Sequence, residues 1–377
     1  MSDDQQWQPP GRTPPAPPPY PSGQRPSAPP PPPGWTPPPR PGLIPLRPLD
    51  LGAILGGAFR VLRHNPRPTL GAALILQGIT SLLGIGFVGL TTFLSLSRIG
   101  SSTQQDSETI TAGATGLIIV AALIPALLSV IASAVLQGIV VLEVSRGAVG
   151  EKLTFRALWA RARGRLGALI GWAFLLVLAL VVGVGAVAAL IAFFVVTAGT
   201  AGIVIGVLLG LLCGAGILVL CAWLGTKLSL VPSALMIERL RLPEAMGRSW
   251  GLTTTSFWKT FGIQALVGVI VGGASQVVSI PLGILGPMFI GLLDPNGQGG
   301  PTTIAVVGGF GLLSFIVTVL FAAIGSVVRS STTALIYIDL RIRREGLDLE
   351  LARFVEARQA GDASVPDPFP AGRLARP

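Results

Sequence analysis

The chain has 377 residues, half of them hydrophobic and only 12% charged, with a mean hydropathy of +0.70. A soluble domain carries about a quarter of its residues as charges, whereas scarce aromatics and many glycines suit helices that approach one another closely in lipid. The formal charge of +10 sits beside apolar runs, not in a basic stripe with interleaved aromatics, which excludes nucleic acid as a partner and points to membrane phospholipid, an anionic leaflet.

Residues 1–47 form a Pro-rich tract with runs at Pro29 to Pro33 and Pro37 to Pro39. No apolar periodicity offsets the cost of ordering it, so a disordered, partly polyproline II cytoplasmic tail is expected. Its PxxP spacings read first as a spacer and second as a docking segment for a protein partner with an aromatic groove. It lacks the basic stretch followed at once by an apolar run that marks a signal peptide.

Charge-free runs locate the membrane spans. They cover 68–97, 109–142, 166–226, 260–293 and 295–328. Four fit one helix each, and the third is about three times the length a helix needs to cross. A hairpin turning at 197–201 leaves Arg98 as the single basic residue among the outer segments 98–113, 197–201 and 294–302. Three helices there would instead place Arg239, Arg241, Arg248 and Lys259 outside, against the positive-inside rule. The expectation is an all-α polytopic bundle of about six spans over 48–345 (69–96, 115–142, 166–196, 202–237, 260–291 and 303–338) in a bacterial inner membrane. Both termini are expected to be cytoplasmic, with 346–377 forming an amphipathic helix and a flexible tail.

A repeat runs through this order. Asp50 precedes an apolar face of Leu51, Ile54, Leu55, Ala58 and Leu62, with Arg60 and Arg63 opposite. Thr154 precedes Phe155, Leu158, Trp159 and Ala162, and later Leu242, Met246, Ser249 and Trp250 line up beside Glu244 and Arg248. The even-numbered spans end on Glu143, Glu238 and Asp339, at intervals of about a hundred residues, each followed by arginine. Three units of an interfacial helix plus a hairpin are expected, closed by a last amphipathic helix through Leu347, Leu351, Phe354 and Val355.

Few side chains suggest chemistry. His64 is the only histidine, and Cys213 and Cys221 lie about 12 Å apart along one helix, too far to pair, so neither metal nor cofactor is expected and no residue reads as catalytic. Gly202, Gly206, Gly210 and Gly214 recur at four-residue spacing, a helix-packing groove rather than a gate. Lys227 and Arg329 stand in equivalent places ahead of Glu238 and Asp339. The simpler reading is snorkelling or interhelical pairing; the sharper one is a basic pocket for a lipid phosphate, with Gln137, Ser229, Ser330 and Thr332 as hydrogen-bond partners. Gln77, Gln264, Ser275 and Gln276 read as interhelical hydrogen bonders, and Pro125, Pro232, Pro281 and Pro287 as kinks.

The stretch from Lys227 through Pro232 to Glu238, followed by Leu242-Pro243-Glu244-Ala245-Met246-Gly247-Arg248-Ser249-Trp250 and Phe257-Trp258-Lys259, resembles the membrane domain of glycerophosphoryl diester phosphodiesterases. Pro48-Leu49-Asp50-Leu51-Gly52, Arg63-His64-Asn65-Pro66 and the run from Tyr337 to Gly346 are similar to its standalone actinobacterial branch. That resemblance implies a membrane module without the metal-dependent catalytic barrel, whose histidines and carboxylates have no counterpart here. A non-enzymatic scaffold or accessory module contacting anionic phospholipid is the first expectation. A transporter or channel for a small or lipidic solute is the alternative, and a membrane-embedded enzyme ranks third.

Overall fold

The computed structural model describes residues 42–100, 107–293, 300–362 and 364–370, and every regular element among them is helical. Residues 1–41 of the Pro-rich tract, its docking spacings included, lie outside the described residues. From Gly42 onward the chain is not loose as a tail over 1–47 requires: Leu43 N donates to Gly147 O at 2.7 Å, and Leu43, Ile44 and Leu49 are buried.

Helix α1 (Leu51–His64) is capped by Asp50, whose Oδ1 accepts from Ala53 N at 2.8 Å. Its buried face is Ile54, Gly57, Ala58 and Val61, while Arg60 and Arg63 stay exposed. Pro66 and Pro68 withhold two N–H donors, so α1 stops and a π-turn (Arg67–Gly71) restarts the chain into α2 (Ala72–Gly100). There follow α3 (Ser107–Ala148), α4 (Phe155–Leu228), a short α5 (Val231–Ser233) and a second π-turn (Ala234–Glu238). Last come α6 (Leu242–Thr254), α7 (Phe257–Leu293), α8 (Pro301–Glu345) and α9 (Leu347–Gln359).

Among the described residues five helical runs are long and apolar enough to cross a membrane: Arg67–Ser95, Ala121–Ala148, Phe155–Glu238, Phe257–Leu293 and Pro301–Glu345. They mark a multi-pass membrane protein. Their apolar side chains stand largely uncovered, with Val196 at 83%, Val277 at 73% and Leu212 at 72% exposure, a continuous surface that water would not tolerate and lipid tails satisfy.

The longest run is broken at Gly199, whose φ of 53° and ψ of −129° lie where a β-carbon is strained. The arms on either side fold back on each other. A Cβ added to Gly202 would fall 2.0 Å from Phe194 O, and one on Gly210 would touch Ile191 Cδ1 at 3.4 Å. On a straight helix Ile191 and Gly210 would be roughly 28 Å apart. The break falls inside the 197–201 stretch where charge placement asks for a turn. At the other end, the helix expected to continue through 202–237 stops at Leu228, because Ser229 caps it and Pro232 supplies no donor; the chain reaches Glu238 through α5 and the π-turn.

The buried core collects at one end of these helices. There α1 packs on α8, the first turns of α4 on α3, and α6 on the last part of α4, while α2 pairs with α3 and α7 with α8. Leu347, Leu351, Phe354 and Val355 of α9 are all buried, but against the protein rather than in a lipid interface. In α6 the buried residues are Ala245, Ser249, Leu252 and Thr253; of the expected face Ser249 is buried, Leu242 and Met246 pack partly buried against the core, and Trp250 is exposed, with its ring beside Lys227.

Candidate functional site

Three acids anchor the packed end. Glu143 on α3, Glu238 at the end of the second π-turn and Asp339 on α8 have side chains only 1% exposed. A buried carboxylate is costly unless paired, and two of the three are paired several times over. Glu238 Oε1 accepts from Arg248 Nε and Nη2, both at 3.1 Å, and from the Tyr337 hydroxyl, and it lies 3.4 Å from Arg341 Nε. Glu345 closes the network, 2.5 Å from Arg248 and 3.0 Å from Arg341. Burial works against the Arg248 charge, and the facing Glu238 and Glu345 outweigh it, holding the guanidinium above its ordinary value.

Asp339 ties the two termini of the membrane unit together. It accepts from Leu49 N at 2.7 Å, from Arg343 Nε at 2.9 Å and from Lys259 Nζ at 2.5 Å, while Arg343 also donates to Leu49 O at 2.8 Å. Glu143 is the exception. Its nearest basic neighbour is His64, with Nδ1 at 3.5 Å, and among the described residues neither carboxylate oxygen has a hydrogen-bond partner.

Lys227 and Arg329 sit in different surroundings. The Lys227 side chain is buried at the end of α4, with Nζ 5.1 Å from the Trp250 ring, 6.0 Å from the Phe257 ring and donating to Thr254 Oγ1 at 3.3 Å. Aromatic faces and a hydroxyl thus offset the cost of its charge, and among the described residues no carboxylate pairs with it. Its carbonyl accepts from Ser249 Oγ at 2.7 Å, which locks α6 onto the end of α4. Arg329 on α8 is exposed, Gln137 on α3 is half-buried, and Ser229 spends its hydroxyl on Thr226 O at 2.9 Å. Among the described residues no side-chain hydrogen bond or ion pair joins any two of these four. Gly202, Gly206 and Gly210 pack on the preceding arm, whereas Gly214 faces open space.

No family model, no curated protein and no solved structure matches the chain.

Two further features complete the surface. Around the packed end, Trp159, Trp223, Trp250 and Trp258 are exposed, and Arg60, Arg63, Arg156 and Arg163 lie exposed on the neighbouring helices. Deeper among the spans, a cleft of about 590 Å³ lies between α2, α3 and α8, bordered by the hydroxyls of Thr80, Ser81, Ser129, Ser314 and Thr318. Neither Lys227 nor Arg329 lines it. Sequence reasoning names Glu143, Glu238 and Asp339 as repeat markers but not as clamps, sees Arg146 only as the basic residue after Glu143, and passes over Asp367 and Phe369. Isolated charges in a mixed terminal segment carry no periodicity, so no sequence signal announces that they meet.

Proposed function

We propose that this chain is a six-crossing, non-enzymatic module of the bacterial inner membrane, with both termini cytoplasmic, that contacts anionic phospholipid at the inner leaflet and serves as a scaffold or accessory. The observation that carries this reading is the set of exposed tryptophans and arginines on the helices of the packed end, beside an otherwise apolar surface. Tryptophan favours the headgroup level, and arginines near an anionic surface contribute roughly 1 kcal/mol each. The break at Gly199 supports counting α4 as two crossings, which returns every amphipathic segment to the same side.

The three-unit organisation draws support from the cyclic packing of α1 on α8, α4 on α3 and α6 on α4. Kinship with the phosphodiesterase membrane domain is part of the same proposal. The residues that carry the resemblance interlock here, through Ser249 with the Lys227 carbonyl and Arg248 with Glu238, so they form a structural unit rather than scattered identities. The hydroxyl-bordered cleft favours a second reading, passage or storage of a lipidic solute.

Native mass spectrometry of the protein released from mixed-lipid nanodiscs separates them. Retained phosphatidylglycerol or cardiolipin, reduced severalfold when Arg60, Arg63, Arg156 and Arg163 are all replaced by glutamine, is the expected result. Equal retention of neutral lipid by both forms would end the anionic-lipid reading.

A further inference from the structure

The C-terminal segment after α9 turns back into the protein. Phe369 is only 2% exposed, among the largest fully buried side chains, and its carbonyl accepts from Arg341 Nη1 at 3.1 Å. Asp367 pairs with Arg146 Nη2, and the Arg146 guanidinium carbon lies 5.7 Å from the Phe369 ring centroid. These residues border a cavity of about 150 Å³ that Arg146, Arg161 and Arg239 also line, contributed by α3, α4 and the end of the second π-turn.

Charge in this cavity is unbalanced. Three arginines and a single carboxylate, Asp367, line it: Arg146 pairs with Asp367, exposed Arg239 donates from Nη2 to the Arg161 carbonyl at 3.4 Å, and Glu151, 3.9 Å from Arg146, is already held by Arg358 at 2.8 Å. The Arg146 Nε is buried and has no hydrogen-bond partner. Arg239 reaches its place with φ 58°, the only left-handed residue other than glycine among the described ones, a conformation that costs energy and is kept where the surroundings require it. The volume corresponds to several waters at roughly 30 Å³ each, enough for a phosphoryl group whose oxygens match guanidinium geometry.

We propose that the cavity lined by Arg146, Arg161 and Arg239 is a binding site for a phosphate-bearing anion, and that Asp367, held by the buried Phe369, occupies it as a tethered competitor. This rests on the reading of the basic end as the anion-facing surface and assigns the ligand class and its gate. A bound phosphate displaces the Asp367 carboxylate and frees the tail; a seated tail keeps Arg146 paired when no ligand is present. If the tail is seated about nine-tenths of the time, apparent affinity is lowered about tenfold.

The test uses the full chain in phosphatidylcholine nanodiscs, titrated with inorganic phosphate, beside nanodiscs containing phosphatidic acid. Asp367→Asn, which keeps Phe369 as anchor, is expected to tighten phosphate binding about tenfold, and Arg146→Gln with Arg239→Gln to abolish it. In the unaltered chain, hydrogen exchange at Val365, Asp367 and Phe369 is expected to rise when ligand is added. A rise with free phosphate identifies a soluble ligand, and a rise only with phosphatidic acid identifies a headgroup; both support the site. Unchanged affinity in Asp367→Asn, or tail exchange indifferent to both sources, overturns it, whatever the arginine-rim variants show for bulk anionic lipid.

Discussion

Glu238 receives hydrogen bonds from Arg248 and Tyr337 and lies beside Arg341, so its carboxylate is the hub on which three elements converge. Removing one partner of a buried pair leaves the others uncompensated, at a cost of about 3–5 kcal/mol. Glu238→Ala is therefore expected to lower the stability of the purified protein by that amount. Glu345→Ala, at a side chain 16% exposed, should cost about 1 kcal/mol. Thermal unfolding in one detergent checks both, and equal effects would show that the network is not centred on Glu238. At this scale the sequence was informative about where acids recur and mute about what they touch. The position of Glu238 ahead of Arg239 and Arg241 is legible from spacing, whereas its bond to Tyr337, far along the chain, requires the packed end to form first. Lys227 shows the same limit: an unpaired lysine near a span end invites a phosphate, and only the fold brings Trp250 and Phe257 over it.

At the scale of elements, the α4 hairpin is the most specified part of the membrane surface. Gly199 supplies the turn, and Gly202 lets the second arm pass so close to the first that any β-carbon would collide with the Phe194 carbonyl. Gly202→Leu should splay the arms, costing about 1–3 kcal/mol as an overpacked contact. Gly214→Leu, with open space around it, should change stability by less than about 0.5 kcal/mol. Unfolding in increasing dodecyl sulfate reads the difference; matching losses would mean that the glycine stripe packs on something other than the preceding arm. The four-residue spacing was legible as a packing face, but not where that face ends, since the arms diverge beyond Gly210. Helix boundaries followed charge and proline well, except where Ser229 and Pro232 interrupt an apolar run that hydropathy alone treats as continuous.

The whole molecule divides its work between two solvents. Apolar side chains along the spans face outward with little cover, while the buried core and the ion pairs gather at one end. That division explains why composition and charge placement revealed the fold class readily and the candidate site hardly at all: lipid-facing helices are written as local composition, and the paired end is built from contacts distant in sequence. The same division sets the central claim, that the arginine-rich end faces the cytosol and α4 crosses twice. Its most direct measurement is cysteine accessibility in intact cells, with Cys213→Ser and Cys221→Ser as background and Ala198→Cys or Ala360→Cys as the single reporter. A membrane-impermeant maleimide is expected to label Ala198→Cys from outside and Ala360→Cys only after permeabilisation. Labelling of Ala360→Cys in intact cells, or an Ala198→Cys reached only from the cytosol, would contradict the account.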